Sequence, residues 1–472
     1  MIMSAVHVSP FSGVWYPAQA AALDRLLEER FELSRKRTGP FLAPDALGFV
    51  VPHAGPEYSG VVAASVYRSL RQQKPERIVL LAFPHHGGLR GAAVPKVQAV
   101  STPLGPVSIH GFLSDRFARV AEALVCDHSF EIQLPFLQKA APGAQLCPLY
   151  IGNLTDAERR ELAGALAAEW RPGTVLLASS DFTHYGRSFG YVPFPADSRV
   201  EERLRELDEE CIEAAGSLDA GFFLNSLAKT GATVCGSGPI SVLLSTLALV
   251  CPDGLFQSTL DYQTSGETTG DFRHSVSYAA LGYFPRSAFD LNPEDRAALL
   301  ASAELTLQRF RETGRREPVR PQGSVALEAR RGVFVSLHRG PELLGCMGHC
   351  PGDSPLSEAV PELALAAALE DPRFRPGDAL AGAFDVELSV LTPLRRVRSS
   401  SDFQIGRHGG LLKLGPLGGL LLPQVAPRYG WTAETFCEAL SRKAGLPPQG
   451  YQDSAARLYV FEAQVFGGQT AP

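Results

Sequence analysis

The sequence predicts two successive folds: an α/β domain with a mostly parallel central sheet over residues 1–287, and a separate α+β domain over residues 325–472. A helical and Pro/Arg-rich stretch at 288–324 joins them. Three observations carry this reading. Apolar runs at 49–52, 77–83 and 174–179 give out abruptly into polar segments, as buried strands do. Stretches of helical period lie between them, and a strand-helix-strand rhythm places its strands parallel. Beyond residue 325 the alternation stops: strand-like runs at 332–337, 384–391 and 457–465 are broken by a single alanine-rich helical pattern at 356–370.

Taken in order, the chain opens on an irregular aromatic segment, Phe11-Ser-Gly-Val-Trp-Tyr-Pro17. A helix is expected over 19–37, where Leu23, Leu26, Leu27 and Phe31 fall on one face. The run Phe49-Val-Val-Pro52 is a strand that delivers His53 at its end, and 60–70 is helical. The next strand ends in Pro84-His85-His86-Gly87. Thr155-Asp-Ala-Glu158 has the form of a helix cap, so a helix over 155–170 precedes the strand that ends in Ser180-Asp181-Phe182-Thr183-His184. Helices follow at 200–215 and 219–229, then a glycine-rich turn at 231–239 that leads into a buried helix at 240–251. Strands at 255–262 and 275–284 close the domain, and a helix at 293–310 opens the join.

Composition bounds the function. The chain of 472 residues is 45% hydrophobic and 20% charged, which is ordinary for a globular protein and long enough for two or three domains. There are 24 basic and 29 acidic residues before Ala288 and 20 and 21 from there on, so the two parts carry −5 and −1. Neither has the basic field that nucleic-acid binding needs. The first residues lack a charged segment followed by a long apolar core, and the run at 240–251 is too short to cross a bilayer. A cytoplasmic protein is expected. Its eight cysteines are scattered without a staple-like framework, which fits reduced thiols.

Five of the eleven histidines, His53, His85, His86, His128 and His184, fall at predicted strand ends or helix starts, together with Asp181. In Asp127-His-Ser-Phe-Glu131 the carboxylates are four residues apart and share a helical face. Imidazoles and carboxylates gathered at one end of a sheet are what a site for iron, zinc or copper requires. Asp127 and Glu131 are then the partners that fix imidazole orientation. Cys235, in the glycine-rich turn, is either a small buried residue or a soft ligand.

The motifs VPHAG (51–55), PHHG (84–87), DHSFEIQLPFL (127–137), SSDFTHYG (179–186), TVCGSGPI (233–240) and VSYAA (276–280) together resemble the Memo family, over residues 8–285. That resemblance implies the fold of the class III extradiol ring-cleaving dioxygenases. It further implies that His53, His85 and Cys235 bind a metal, iron (Fe2+) or copper, with Asp181 and His184 lining the pocket and His86 and His128 moving protons. The dioxygenases use two histidines and a carboxylate, so a thiol in the third place sets this chain apart from ring cleavage.

In the second part, GVFVSL (332–337), LLGCMGHC (343–350), EDPRF (370–374), DVELSVLTP (385–393), IGRHGGLL (405–412) and RKAGLP (442–447) resemble the AMMECR family from about residue 290. The family hallmark Leu-Arg-Gly-Cys-Ile-Gly is altered here: Leu344 takes the place of the arginine and Met347 that of the isoleucine. Ser441 stands where a cysteine is usual. Losing the arginine removes a planar cation for a phosphate or carboxylate. Cys346, Arg407 and His408 remain the candidate residues of this domain.

Joined in one chain, the two domains resemble a fused form of the AmmeMemoRadiSam system, which implies a radical S-adenosylmethionine protein as partner and a small-molecule or peptide substrate. The function expected is a metal-dependent redox enzyme, with a homodimer as the expected assembly. The alternatives are a non-catalytic iron- or copper-binding scaffold or metal-handling protein, and a metal-free peptide-binding pocket.

Overall fold

Residues 4–111, 113, 118–120 and 127–468 are described by a computed structural model of the chain, and Cys126 lies outside them. They fall into two compact units that divide after residue 288, with residues 40–42 counted in the second.

The strands of the first unit are β1 (Ser4–Val8), β2 (Gly48–Val51), β3 (Arg77–Ala82), β4 (Ala92–Pro95), β5 (Val97–Thr102) and β6 (Gly105–Ser108). They continue with β7 (Ala118–Val120), β8 (Gln145–Ile151), β9 (Thr174–Ser179), β10 (His184–Gly186), β11 (Leu255–Thr264) and β12 (His274–Pro285). Nine of them form one sheet in the order β10-β12-β2-β9-β3-β8-β4-β7, with β11 against β12. The small sheet β1-β5-β6 stands apart.

The expected mostly parallel sheet is parallel in its middle and mixed overall. The strands β2, β9, β3 and β8 run parallel. β12 is antiparallel to β2, β10 and β11, and β4 is antiparallel to β8. Connection length explains one of these pairs, β11 with β12. β11 and β12 are joined by residues 265–273 alone, too few for the crossover that a parallel neighbour needs.

The middle strands are buried on both faces, β2 and β9 along their whole length. The helix Gly60–Gln73 packs on β2, β11 and β12, and the helix Ser237–Val250 on β2, β3, β8 and β9 beside Asp156–Ala168. The capping box expected at Thr155 and Glu158 forms. Side chains such as Val50, Val79, Leu149, Leu176, Leu243 and Leu247 fill the core between these layers. Since β2, β3 and β9 point the same way, the residues just past Val51, Ala82 and Ser179 emerge at one edge of the sheet. That edge is where ligands bind in open α/β sheets.

The second unit holds β13 (Val333–Arg339), β14 (Glu342–His349), β15 (Asp385–Leu391), β16 (Arg395–Val397), β17 (Gly409–Leu414), β18 (Leu417–Leu421), β19 (Arg457–Phe461) and β20 (Ala463–Gly467). They form two antiparallel sheets, β14-β13-β15-β20 and β16-β19-β17-β18. The helix Pro293–Thr313, assigned from sequence to the join, buries Leu299, Ala303 and Leu307 in the core of this unit beside the helix Leu356–Leu369. The last predicted strand, 457–465, is two strands serving different sheets. Its change of partner falls at Glu462, whose main chain exchanges hydrogen bonds with Thr392.

Candidate metal centre

His53 lies two residues past β2 and is 1% exposed. Its main-chain N–H donates to Asp181 Oδ1 at 2.7 Å, and its Nδ1 lies 3.0 Å from Ser179 Oγ. His85, three residues past β3, is held by Asp127: Oδ2 accepts the main-chain N–H at 2.6 Å and lies 3.1 Å from Nδ1. Burial raises the Asp127 pKa, but hydrogen bonds from His85 and Ser129 outweigh it and leave the carboxyl below its usual value. An ionised carboxylate only accepts, so the ring hydrogen of His85 sits on Nδ1 and Nε2 is left as a donor atom for a ligand.

His128 opens the helix His128–Glu131, for which Asp127 is the N-cap, accepting from Ser129 N at 2.9 Å. Its ring stacks on His85 with centroids 4.0 Å apart and is covered by Trp15 at 4.8 Å. One ring nitrogen from each of His53, His85 and His128 lies within 4.8 Å of the others. Burial, then the neighbouring imidazoles, pushes both His53 and His128 down to about 3, so these rings are neutral near pH 7.

Cys235, expected as the third ligand, lies beside His53 in the turn before the helix Ser237–Val250 but is not one of the grouped residues, a place the structure gives to His128. The Cys235 Sγ is 3.2 Å from His53 Nε2 and accepts the Asp181 main-chain N–H at 3.2 Å. Burial, with the Asp181 charge adding to it, drives the thiol pKa upward. The approach depends on the next residue. A Cβ on Gly236 would lie 2.5 Å from both Ser179 O and Ser180 Cβ. Asp181 itself is buried, which raises its pKa.

His184 starts β10 at the same edge. Its Nδ1 faces two carbonyls, Phe182 O at 2.9 Å and Thr233 O at 3.1 Å. Carbonyls only accept, so Nδ1 carries the hydrogen and Nε2 is an acceptor. His86, expected to move protons beside these residues, is exposed and is not one of the three grouped imidazoles. Glu131 also departs from expectation. It is wholly buried and pairs with His7 Nε2 at 2.8 Å, not with His53, His85 or His128. Asp127 precedes the helix as its cap, so the four-residue spacing does not put the two carboxylates to one use. His7, Trp15, Gln133 and Ser179 were not singled out from sequence; their roles depend on long-range packing, although Trp15 stood in the aromatic opening segment.

In the second unit the Cys346 main-chain N–H donates to Asp371 Oδ2 at 2.8 Å. Asp371 is also gripped by Arg373, Nε to Oδ1 at 2.9 Å and Nη2 to Oδ2 at 2.7 Å. The Arg373 hydrogen bonds hold the carboxyl down at about 2. Leu344 is 8% exposed and belongs to the core, so the hallmark position is spent on packing. Arg407 pairs with Glu462 Oε1 at 2.8 Å. His408 is buried and accepts the Gln404 N–H at 3.1 Å on Nδ1, with burial pushing it down to about 4. Both residues are tied into the turn that begins at Gln404.

Comparison with known proteins divides the chain at the same place. The family model described as Memo-like protein matches residues 9–282, and that described as AMMECR1 matches residues 300–466. A MEMO1 family protein of Methanosarcina acetivorans is 33% identical over 280 residues, 57% of this chain and 96% of that protein. A protein of Methanothermobacter thermautotrophicus is 44% identical over 144 residues, covering 29% of this chain and 75% of its own length. The crystal structure of uncharacterized protein PH0010 from Pyrococcus horikoshii is 33% identical, covers 36% of this chain and 90% of its own, and superposes with a TM-score of 0.35. Among the described residues no helix is long and apolar enough to cross a membrane.

Proposed function

Because the chain belongs to the Memo family across residues 9–282 and carries an AMMECR1 domain across 300–466, we propose that it is a metal-dependent redox enzyme of the AmmeMemoRadiSam type, with a dioxygenase-like metal pocket at the sheet edge. The observation that carries this is the convergence of three imidazoles whose ring nitrogens lie within 4.8 Å of one another. Neutral imidazoles suit Fe(II), and the Cys235 thiol beside them also admits copper. A bound metal would supply Lewis acidity and an open position for oxygen or substrate.

The chain's own residues have separate tasks in this reading. His53, His85 and His128 are the residues within common reach of one ion, and Cys235, beside His53, is the sulfur donor that a small shift of its turn would add. Asp127 orients His85 by accepting its Nδ1 hydrogen. Asp181 fixes the main chain at His53. His184, with Nδ1 committed to carbonyls, accepts a substrate proton at Nε2. Trp15 and Phe83 pack on His128 and His85 and keep water from those faces of the site. The substrate is a small molecule or peptide, the partner a radical S-adenosylmethionine protein, and the location cytoplasmic.

Metal analysis of protein purified without chelators tests this first, with iron the expected result. Oxygen uptake by the Fe(II)-loaded protein with a substrate pool, lost in His53→Ala, tests the redox step. Failure to bind iron would end it. The nearness of Cys235 Sγ to His53 Nε2 favours a second reading, a soft closed site for holding iron or copper. Nitric oxide distinguishes the two: an open position gives a nitrosyl signal, and a closed one gives none.

A further inference from the structure

Behind His53 runs a hydrogen-bond chain in which chemistry fixes which way round the Gln133 amide stands. Pro52 offers only a carbonyl, so the part of the Gln133 side chain 2.9 Å from it is the amide nitrogen. The same Nε2 reaches Ser179 Oγ at 3.0 Å. Oε1 is left to accept the Tyr67 hydroxyl, and it does. Ser179 Oγ then meets His53 Nδ1 at 3.0 Å. Tyr67, Gln133 and Ser179 are fully buried, so no bulk water competes for these bonds.

We propose that Gln133 is a positioning residue of the imidazole site. Its two N–H groups go to the two places that define where His53 stands: the residue before it at the end of β2, and the last residue of β9, on which the ring rests. Gln133 thereby ties two strand ends together and orients the His53 ring through Ser179 without touching it. Tyr67 fixes the amide the right way round. The expected effect on metal affinity rests on the metal-site reading above; the effect on the His53 ring does not.

The test uses the full-length chain and Co(II) as the probe. Gln133→Met keeps the volume and removes the amide. It should weaken Co(II) binding by about tenfold, the lower end for a residue that supports a ligand from outside, and shift the visible Co(II) spectrum. In the metal-free protein the ring 15N resonances of His53, assigned by their loss in His53→Ala, should move in the variant. Ser179→Ala should produce the same loss, and the double variant should lose no more than either alone. A lower melting temperature with unchanged Co(II) affinity and unchanged His53 ring shifts overturns the proposal, because Gln133 would then only fill the core. If the parent protein binds no Co(II), the metal reading fails and the ring shifts alone decide the role of Gln133. Should Gln133→Met not fold, Tyr67→Phe removes one hydroxyl from the same chain, and unmoved His53 ring shifts there overturn the proposal equally.

Discussion

Gly236→Ala is the sharpest single perturbation of the site. The backbone at Gly236 has φ −89°, a conformation open to any residue, so the whole effect is steric. The added methyl would stand 2.5 Å from Ser179 O and Ser180 Cβ and 2.7 Å from Ser180 Oγ, against an ordinary contact of about 3.5 Å. Two of the three obstacles cannot swing away, since one is a carbonyl of β9 and the other a Cβ. The turn carrying Cys235 must therefore retreat by about 1 Å, and the thiol leaves its 3.2 Å approach to His53 Nε2. Overpacking of this kind costs about 1–3 kcal/mol. In a unit of this size that lowers the melting temperature by about 2–10 °C. Gly87→Ala, where nothing lies within 4 Å of the new methyl, is the control and should leave it unchanged. Calorimetry reads the stability, and the sulfur-to-metal charge-transfer band of the Cu(II)- or Co(II)-loaded protein reads the thiol. A variant that melts with the parent and keeps that band would refute the reasoning.

Further outcomes follow from the same geometry. Asp127→Asn should weaken metal binding by about 10- to 100-fold, because the amide no longer compels the His85 hydrogen onto Nδ1; isothermal titration checks it. His86→Ala should change neither metal affinity nor oxygen uptake, the side chain being exposed; a loss of either would return His86 to the site. The Asp371 carboxyl, held at about 2 by Arg373, lies below its unfolded value of about 3.9, so it contributes stability above pH 4 that disappears as pH falls toward 2. Urea midpoints of Asp371→Asn should accordingly approach those of the parent over that interval and stay apart at pH 7. Leu344→Arg, which restores the hallmark arginine, should destabilise the second unit, since it forces a charge into a core position; an unchanged urea midpoint would show that the guanidinium reaches solvent.

What could be read in the sequence was whatever is local or repeated. The runs ending at His53, His85 and Asp181 announce parallel strands because such strands are apolar on both faces. Their shared edge follows from that parallelism alone. The mixed flanks were hidden because β12 pairs with β2 and β10, strands far from it in the chain, and no local pattern gives the direction of such a pair. Glu131 misled because four-residue spacing assumes both carboxylates lie within one helix, whereas Asp127 caps it from outside. Gln133 and Ser179 stood inside quoted motifs but were not singled out, as an amide and a hydroxyl are common residues whose importance arises only when distant strands meet. The resemblance to families supplied Cys235 as a ligand; the residues left it as one of two readings.

The change of partners at Glu462 reaches beyond topology. A single ribbon, residues 457–467, is stitched first into one sheet of the second unit and then into the other. Pulling it out takes an inner strand from one sheet and an edge strand from the other. Opening one sheet at β19 therefore pulls on the edge of the other, and amide protons in β19 and β20 should exchange at a common rate in native conditions, as members of one cooperative block.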